Sequence, residues 1–355
     1  MGIKDLGKLL PKEKKELYEY CYSYEAFKGK AIAIDMSIIM YKNSYGGALK
    51  SYREAGSLEY DDEKSKIKYE SFNLTINFLT EFLINGITPV CVFDGERIPE
   101  KHQTIEERLE ERERVIKKAK ELKERIDNGE CSKEILDEYR RKKSSTAINA
   151  EDNEDLKMLL EQIGFICLTA TYEAEKLCVM LEKEGYVSAV YSTDQDCLAM
   201  GCNTLIVERK VVNKQGKKEY YFRAKIGREI KAMLGLNHTR FLHLCVLCGT
   251  DFNYNIPGMG PKKSIKYIYE HGYIKENVLY NIYGNKANDF INKYKKTIEI
   301  FKDENVEDIC MTKVEYPFKL EIKLELLDDI LSYHNLESST NRIVEAYEEY
   351  NKLIS

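Results

Sequence analysis

Three short apolar runs in the sequence end in an aspartate: AIAID at Asp35, TPVCVFD at Asp94 and SAVYSTD at Asp194. Two close acidic pairs accompany them, Glu173-Ala-Glu175 and Asp194-Gln-Asp196, and Asp251 follows the apolar stretch LCVLCGT. Residues two apart do not share a face in mid-helix. A pair at that spacing converges only where the chain enters or leaves an element. Both pairs qualify, since TYEAEKLCVML reads as the opening of a helix and STDQDCLAM as the exit from a strand. A cluster of five to seven carboxylates repels itself apart unless cations stand between its members. All-oxygen ligation suits Mg²⁺ or Mn²⁺. Two such ions roughly 4 Å apart stabilise the attacking and leaving oxygens of an in-line phosphoryl displacement. Any one pair arises easily by chance among 60 acidic residues; the combination of three strand ends, two pairs and Asp251 carries the argument.

The runs that deliver these aspartates are short, rich in Val and Ile, and followed by polar or turn-forming residues, which fits buried parallel strands. Helical patterns lie between them, at 70–85, 152–163 and 174–184. Such alternation predicts an α/β fold with a central, mainly parallel sheet flanked by helices. Ligands bind outside the carboxyl ends of the strands in these sheets. Residues 102–126 predict a long charged helix, and 131–143 a second one ending in Arg140, Arg141, Lys142 and Lys143, with SSTAIN as connector. The pair is too polar for a core and is expected to project from the body. Residues 203–223 predict two strands around a turn at Gln215-Gly216. The chain is then helical from 225, broken by FNYNIPGMGPKKS, with a polar helix from 335. The expected organisation is an N-terminal region at 1–95, an inserted helical arch at 96–150, an internal region at 151–250, a helix-hairpin-helix region at 251–300 and a helical extension at 301–355.

Composition narrows the function further. At 355 residues with 43% hydrophobic and 32% charged residues, the chain can bury a substantial core. No apolar run reaches the ~18 residues of a membrane span, and MGIKDLGKLLPKEKK lacks a signal-peptide core. Leu6 stands where a myristoylation motif at Gly2 needs Ser or Thr. The ten cysteines fall mostly in apolar runs and read as reduced core residues. Cys245-x-x-Cys248, near His238 and His243, is read as part of a buried helix rather than as a zinc site. The net charge of −5 argues against nucleic-acid binding, but residues 207–231 hold nine Lys/Arg against three acids and 257–302 nine against four. On charge alone, solvated lysine faces and nucleic-acid patches weigh equally.

IPGMGPKKS adds a physical signal of its own. Gly258 and Gly260 permit a tight hairpin, and Pro261 is a favoured first-turn residue for the next helix. The free amides and positive end of that helix suit a phosphate, helped by Lys262, Lys263 and Lys266.

Taken together, MGIKDL, IAIDMSIIMY, GITPVCVFDGERIPEKHQTIEER, EQIGFICLTATYEAEKLC, YSTDQDCLAMG and LCVLCGTDFNYNIPGMGPKKS resemble the flap endonuclease family of structure-specific 5′-nucleases, over about residues 1–270. The resemblance implies a PIN-like 5′-nuclease fold with a helical arch and a helix–two-turn–helix element. It implies that Asp35, Asp94, Glu173, Glu175, Asp194, Asp196 and Asp251 hold two Mg²⁺ ions, for which Mn²⁺ substitutes. Asp35 and Asp94 count also as catalytic. Lys101 and Arg108 fall where the family places cations that reach the scissile phosphate. Arg112, four residues on, shares their helical face and joins Gly2 among the implied DNA contacts. Tyr41 matches an aromatic that stacks on a base beside the cut, against the plain alternative of a packed tyrosine among 26. The glycine hairpin, with Gly258, Gly260, Lys262, Lys263 and Lys266, matches an element that grips duplex DNA through a K⁺ ion. Asn255 stands where relatives often have Ser, which leaves backbone carbonyls to hold that ion. The implied activity is 5′-flap cleavage at single-strand/duplex DNA junctions, in replication and repair. A 5′→3′ exonuclease, a Holliday-junction resolvase and an inactive junction binder are the alternatives. The expected protein is a monomer inside the cell, nuclear in a eukaryote and otherwise cytoplasmic or at a viral replication site. Residues 43–70 match the family poorly, and EEYNKLIS carries no sliding-clamp motif.

Overall fold

A computed structural model describes residues 3, 5–55, 63–96, 102–130, 132–144, 150–214, 217–302 and 317–354. Seven strands are present: β1 (Glu19–Ser23), β2 (Ala31–Asp35), β3 (Thr88–Phe93), β4 (Ile166–Thr169), β5 (Ala189–Tyr191), β6 (Thr204–Lys214) and β7 (Lys217–Ile226). The helices that precede or interrupt the sheet are α1 (Met36–Ala55), α2 (Glu63–Ile84), α3 (His102–Asp127), α4 (Lys133–Ser144), α5 (Ala150–Ile163), α6 (Ala174–Lys183) and α7 (Asp196–Met200). Those that follow it are α8 (Gly227–Met233), α9 (His238–Cys248), α10 (Pro261–His271), α11 (Glu276–Tyr283), α12 (Asn288–Lys302), α13 (Leu327–Tyr333) and α14 (Thr340–Ile354).

The strands form one sheet in the order β1-β7-β6-β5-β2-β3-β4. The five from β6 to β4 run parallel, and β7 and β1 close one edge antiparallel. The apolar runs become strands because both of their faces are covered: every residue of β3 is buried, as are residues 32–35 of β2. From β2 the chain winds outward through β3 to β4, then returns to place β5 on the other side of β2. The strand order therefore reverses between β2 and β5, and the crevice outside their carboxyl ends is the expected ligand position.

Helix α2 begins earlier than the pattern at 70–85 suggests. Its charged first turns hide Ile67 and Phe72, which are both fully buried. On the sheet side, Phe78 and Phe82 of α2 stack edge-on against Tyr191, and Phe82 also meets Phe222. Helix α14 is amphipathic rather than polar throughout. Ile343, Ala346 and Tyr350 are buried, the helix packs on α2, and the Tyr350 hydroxyl hydrogen-bonds Thr88 at 2.6 Å. Helices α3 and α4 pack on each other around their own small core of Leu122, Ile126 and Tyr139, and α4 also rests on α1. Among the described residues no helix is long and apolar enough to cross a membrane.

Candidate active site

Each strand-end aspartate is held by donors that its own chain position supplies. Asp35 ends β2 and is 2% exposed. One of its oxygens faces the Ile38 amide at a long 3.4 Å, in the manner of an N-cap for α1, and the other accepts from the Ser192 hydroxyl at 3.1 Å. Asp94 lies one residue beyond β3. It accepts from the Ala174 amide at 2.8 Å and from the Ser37 hydroxyl at 2.5 Å. The Ala174 amide is one of the unpaired donors at the start of α6, so the carboxylate meets the positive end of that helix. Asp194 accepts from the Asp196 amide at 2.9 Å, and its own amide donates to Ser192 Oγ at 3.0 Å. Ser192 thus bridges the ends of β2 and β5, across the point where the strand order reverses.

The paired acids fall where the chain turns. Glu173 is the extended N-cap of α6 and Glu175 lies in its first turn, buried; Asp196 opens α7 and is 1% exposed. Asp251 follows α9 by three residues, and α9 packs against α7. Burial, with Asp94 and Asp194 adding repulsion, pushes the Asp35 carboxyl up to about 7. The thiol of Cys178, buried in α6, feels Asp35, Glu175 and Asp94, and burial raises it well above the ordinary range. Among the described residues no three Asp, Glu, His or Cys side chains are arranged, as they stand, to hold one ion. Asp35, Asp94 and Asp194 accept hydrogen bonds from nearby hydroxyls and amides. The donor set still fits a divalent ion: it is all oxygen, its members Asp35, Glu175, Asp194 and Asp196 are buried while Asp94 is exposed, and its central member is driven towards neutrality by a charge excess that a cation would offset.

Gly95 sets the distance between two of these groups. Its amide donates to Tyr172 O at 2.7 Å and the Glu96 amide to Thr171 O at 2.8 Å, fastening the end of β3 to the loop before Glu173. A Cβ at Gly95 would lie 2.0 Å from Ala170 O. Ser37, Ser192 and Gly95 were not among the residues selected from the sequence. The available signal was a small residue one or two places from each strand-end aspartate.

The remaining candidates are dispersed. Tyr41 projects from α1, 67% exposed, so it is not a core tyrosine. Arg112 is half-buried on α3. Arg108 lies on α3 but its side chain, like Lys101 and Gly2, falls outside the described residues. In the hairpin, Gly258 has φ +87°, a conformation that requires glycine, whereas Gly260 is extended at φ −83° and serves as N-cap of α10. Pro261 is the first residue of α10, and Lys262, Lys263 and Lys266 are exposed on it. Cys245 and Cys248 are buried in α9, and burial pushes the Cys248 thiol up to about 12.

Comparison with known proteins agrees with this geometry. Residues 1–115 match the XPG N-terminal domain and residues 164–251 the XPG I-region. Flap endonuclease 1 of Phytophthora infestans is 30% identical over 350 residues, covering 95% of this chain and 85% of the relative. Flap endonuclease 1 of Xiphophorus maculatus is 32% identical over 324 residues, covering 87% and 76%. Among solved structures, flap endonuclease-1 from Methanococcus jannaschii superposes with a TM-score of 0.57 at 19% identity, covering 99% of this chain and 98% of that one. The catalytic core of Rad2 in complex with DNA substrate (complex IV) gives 0.61 at 19%, covering 97% and 100%. Fold, strand-end acids and matched domains define an α/β nuclease of the XPG type. The chain belongs to the flap endonuclease family.

Proposed function

We propose that this protein is a structure-specific 5′ endonuclease that cuts 5′ flaps at single-strand/duplex DNA junctions, in replication and repair. The observation that carries the reading is the convergence of Asp35, Asp94 and Asp194 from three strand ends around the reversal between β2 and β5. Asp35, Asp94, Glu173, Glu175, Asp194, Asp196 and Asp251 would hold two Mg²⁺ ions. Bound there, such ions activate the attacking water and stabilise the leaving oxygen. Ser192 and Ser37 orient the Asp35 and Asp94 carboxylates, of which Asp35 is buried and Asp94 is open to solvent. Lys101 and Arg108 stabilise charge on the phosphoryl oxygens. The oxygen of water bonds to phosphorus as the bond to the flap's 3′ oxygen breaks. The flap leaves with a 3′-hydroxyl and the duplex retains a 5′-phosphate. Tyr41, exposed on α1, would stack on a base beside the cut.

The deciding experiment is cleavage of end-labelled flap, nicked, blunt and four-way substrates with Mg²⁺, with product ends mapped. A single cut at the flap base is the expected result. Dominant mononucleotide release or paired cuts in the four-way junction would transfer the assignment to an exonuclease or a resolvase.

Removing the Ser192 donor is expected to raise the half-saturating Mn²⁺ concentration roughly tenfold, the scale for second-shell partners of a metal site. Ser192→Cys preserves volume and removes a strong hydroxyl donor, so it should shift ion affinity with little change in thermal midpoint. Calorimetric titration with Mn²⁺ reads the effect without catalysis. An unchanged affinity in both Ser192→Cys and Ser192→Ala would free the carboxylates from this bridge.

Lys262→Ala with Lys263→Ala is expected to weaken binding to the duplex arm while sparing the single-turnover rate at saturating enzyme. The salt slope of binding should fall by roughly one per lost phosphate contact. A slope that stays at the wild-type value across a KCl series would remove α10 from the DNA interface.

A further inference from the structure

Four carbonyls of the hairpin before α10 face donors from the same segment. Ile256 O accepts from the Met259 amide at 2.8 Å, and Met259 O accepts from the Asn255 side-chain amide at 3.1 Å. Gly258 O accepts from the Lys263 ammonium at 2.7 Å. Gly260 O takes the Lys263 and Ser264 amides at 2.9 and 3.0 Å, and the Ser264 hydroxyl at 3.2 Å. A carbonyl oxygen can only accept, so the nitrogen of the Asn255 amide is the atom that faces Met259. A monovalent cation held by such a turn needs several carbonyl oxygens directed at one point. Here the same oxygens already face N–H and O–H donors, and the Lys263 ammonium places a full positive charge among them. A second cation beside it would be repelled.

These donors do not fit a bound K⁺. We infer that the hairpin holds its shape, and offers positive charge to a duplex phosphate, without a monovalent cation: the Asn255 amide clips the turn and Lys263 supplies the charge. Lys263 has three donor hydrogens, so one on Gly258 O leaves others for a phosphate. The inference rests on the reading of this element as a duplex contact.

The test is equilibrium binding of a 5′-flap duplex, with Ca²⁺ in place of Mg²⁺ to prevent cleavage, in KCl, NaCl or tetramethylammonium chloride at one ionic strength. Wild-type dissociation constants are expected to agree within about twofold across the three salts. Asn255→Ala bares Met259 O, and this variant is expected to bind at least threefold more tightly in KCl than in tetramethylammonium chloride. A wild-type preference for K⁺ of fivefold or more would overturn the inference. So would an Asn255→Ala variant with wild-type affinity in all three salts. Failure of the duplex reading itself looks different: the salt slope of Lys262→Ala/Lys263→Ala would match wild type whichever cation is present.

Discussion

Asp94→Ala should lower single-turnover flap cleavage by at least roughly 10³-fold, about 4 kcal/mol of transition-state stabilisation, while junction affinity in Ca²⁺ stays within about threefold. Asp94 does more than contribute a charge. Its two oxygens hold the start of α6 through the Ala174 amide and the first turn of α1 through Ser37. The substitution therefore removes one ligand and loosens the helix that carries Glu173 and Glu175. Asp94→Asn separates these effects, because the amide oxygen can still accept one hydrogen bond but the charge is gone. If charge dominates, Asn and Ala variants are equally inactive; if positioning dominates, Asn retains substantially more. Asp194→Ala should be as severe, since it removes a carboxylate that both repels Asp35 and accepts from the Asp196 amide at the start of α7. Cleavage by either alanine variant within tenfold of wild type would remove these residues from the ion site.

Blocking the 5′ end of the flap with a bulky group before mixing should prevent productive binding, whereas the same block added after the complex forms should trap the substrate. The basis is the path of the chain around α3 and α4. The segment leading to α3 departs two residues after Asp94, and α4 returns to lie on α1, whose first turn follows Asp35. The pair thus follows Asp94 in the chain and packs on the helix that follows Asp35. Between residues 97 and 143 there are 15 Lys/Arg and 13 Asp/Glu, and among the described residues Leu122, Ile126 and Tyr139 form the shared core. Such a pair has little apolar surface to fold down on the body and much charge to offer a polyanion. The experiment preassembles complexes in Ca²⁺, adds the block before or after mixing, and starts cleavage with Mg²⁺. Equal rates in the two orders would place the strand outside the pair and leave α3 a solvated surface helix.

The parallel core of the fold was legible because its strands are buried on both faces and announce themselves as unbroken Val/Ile runs. The strand-end acids followed from those runs, since an aspartate directly after such a strand has one place to be. The antiparallel edge was harder. β1, reading EYCYS, has no fully buried residue and carries little hydrophobic signal. It is a strand through its register with β7. The buried face of α14 was hidden in the same way: Ile343, Ala346 and Tyr350 are spaced as a stripe within an otherwise charged tail. Ser192 and Ser37 escaped notice because a serine near an aspartate is ordinary in any sequence. Their importance appears only when β2 and β5 lie side by side and α1 approaches the end of β3.

The glycine after Asp94 has a mechanical consequence. Its backbone and that of Glu96 are fastened by two hydrogen bonds to residues 171 and 172, and Ala170 O leaves no room for even one added carbon. The chain just after Asp94 is therefore riveted to the loop that leads into Glu173 and Glu175. The end of β3 and the loop into α6 are thereby fixed to each other at residue 95, so Asp94 and Glu173 cannot move apart without breaking those bonds.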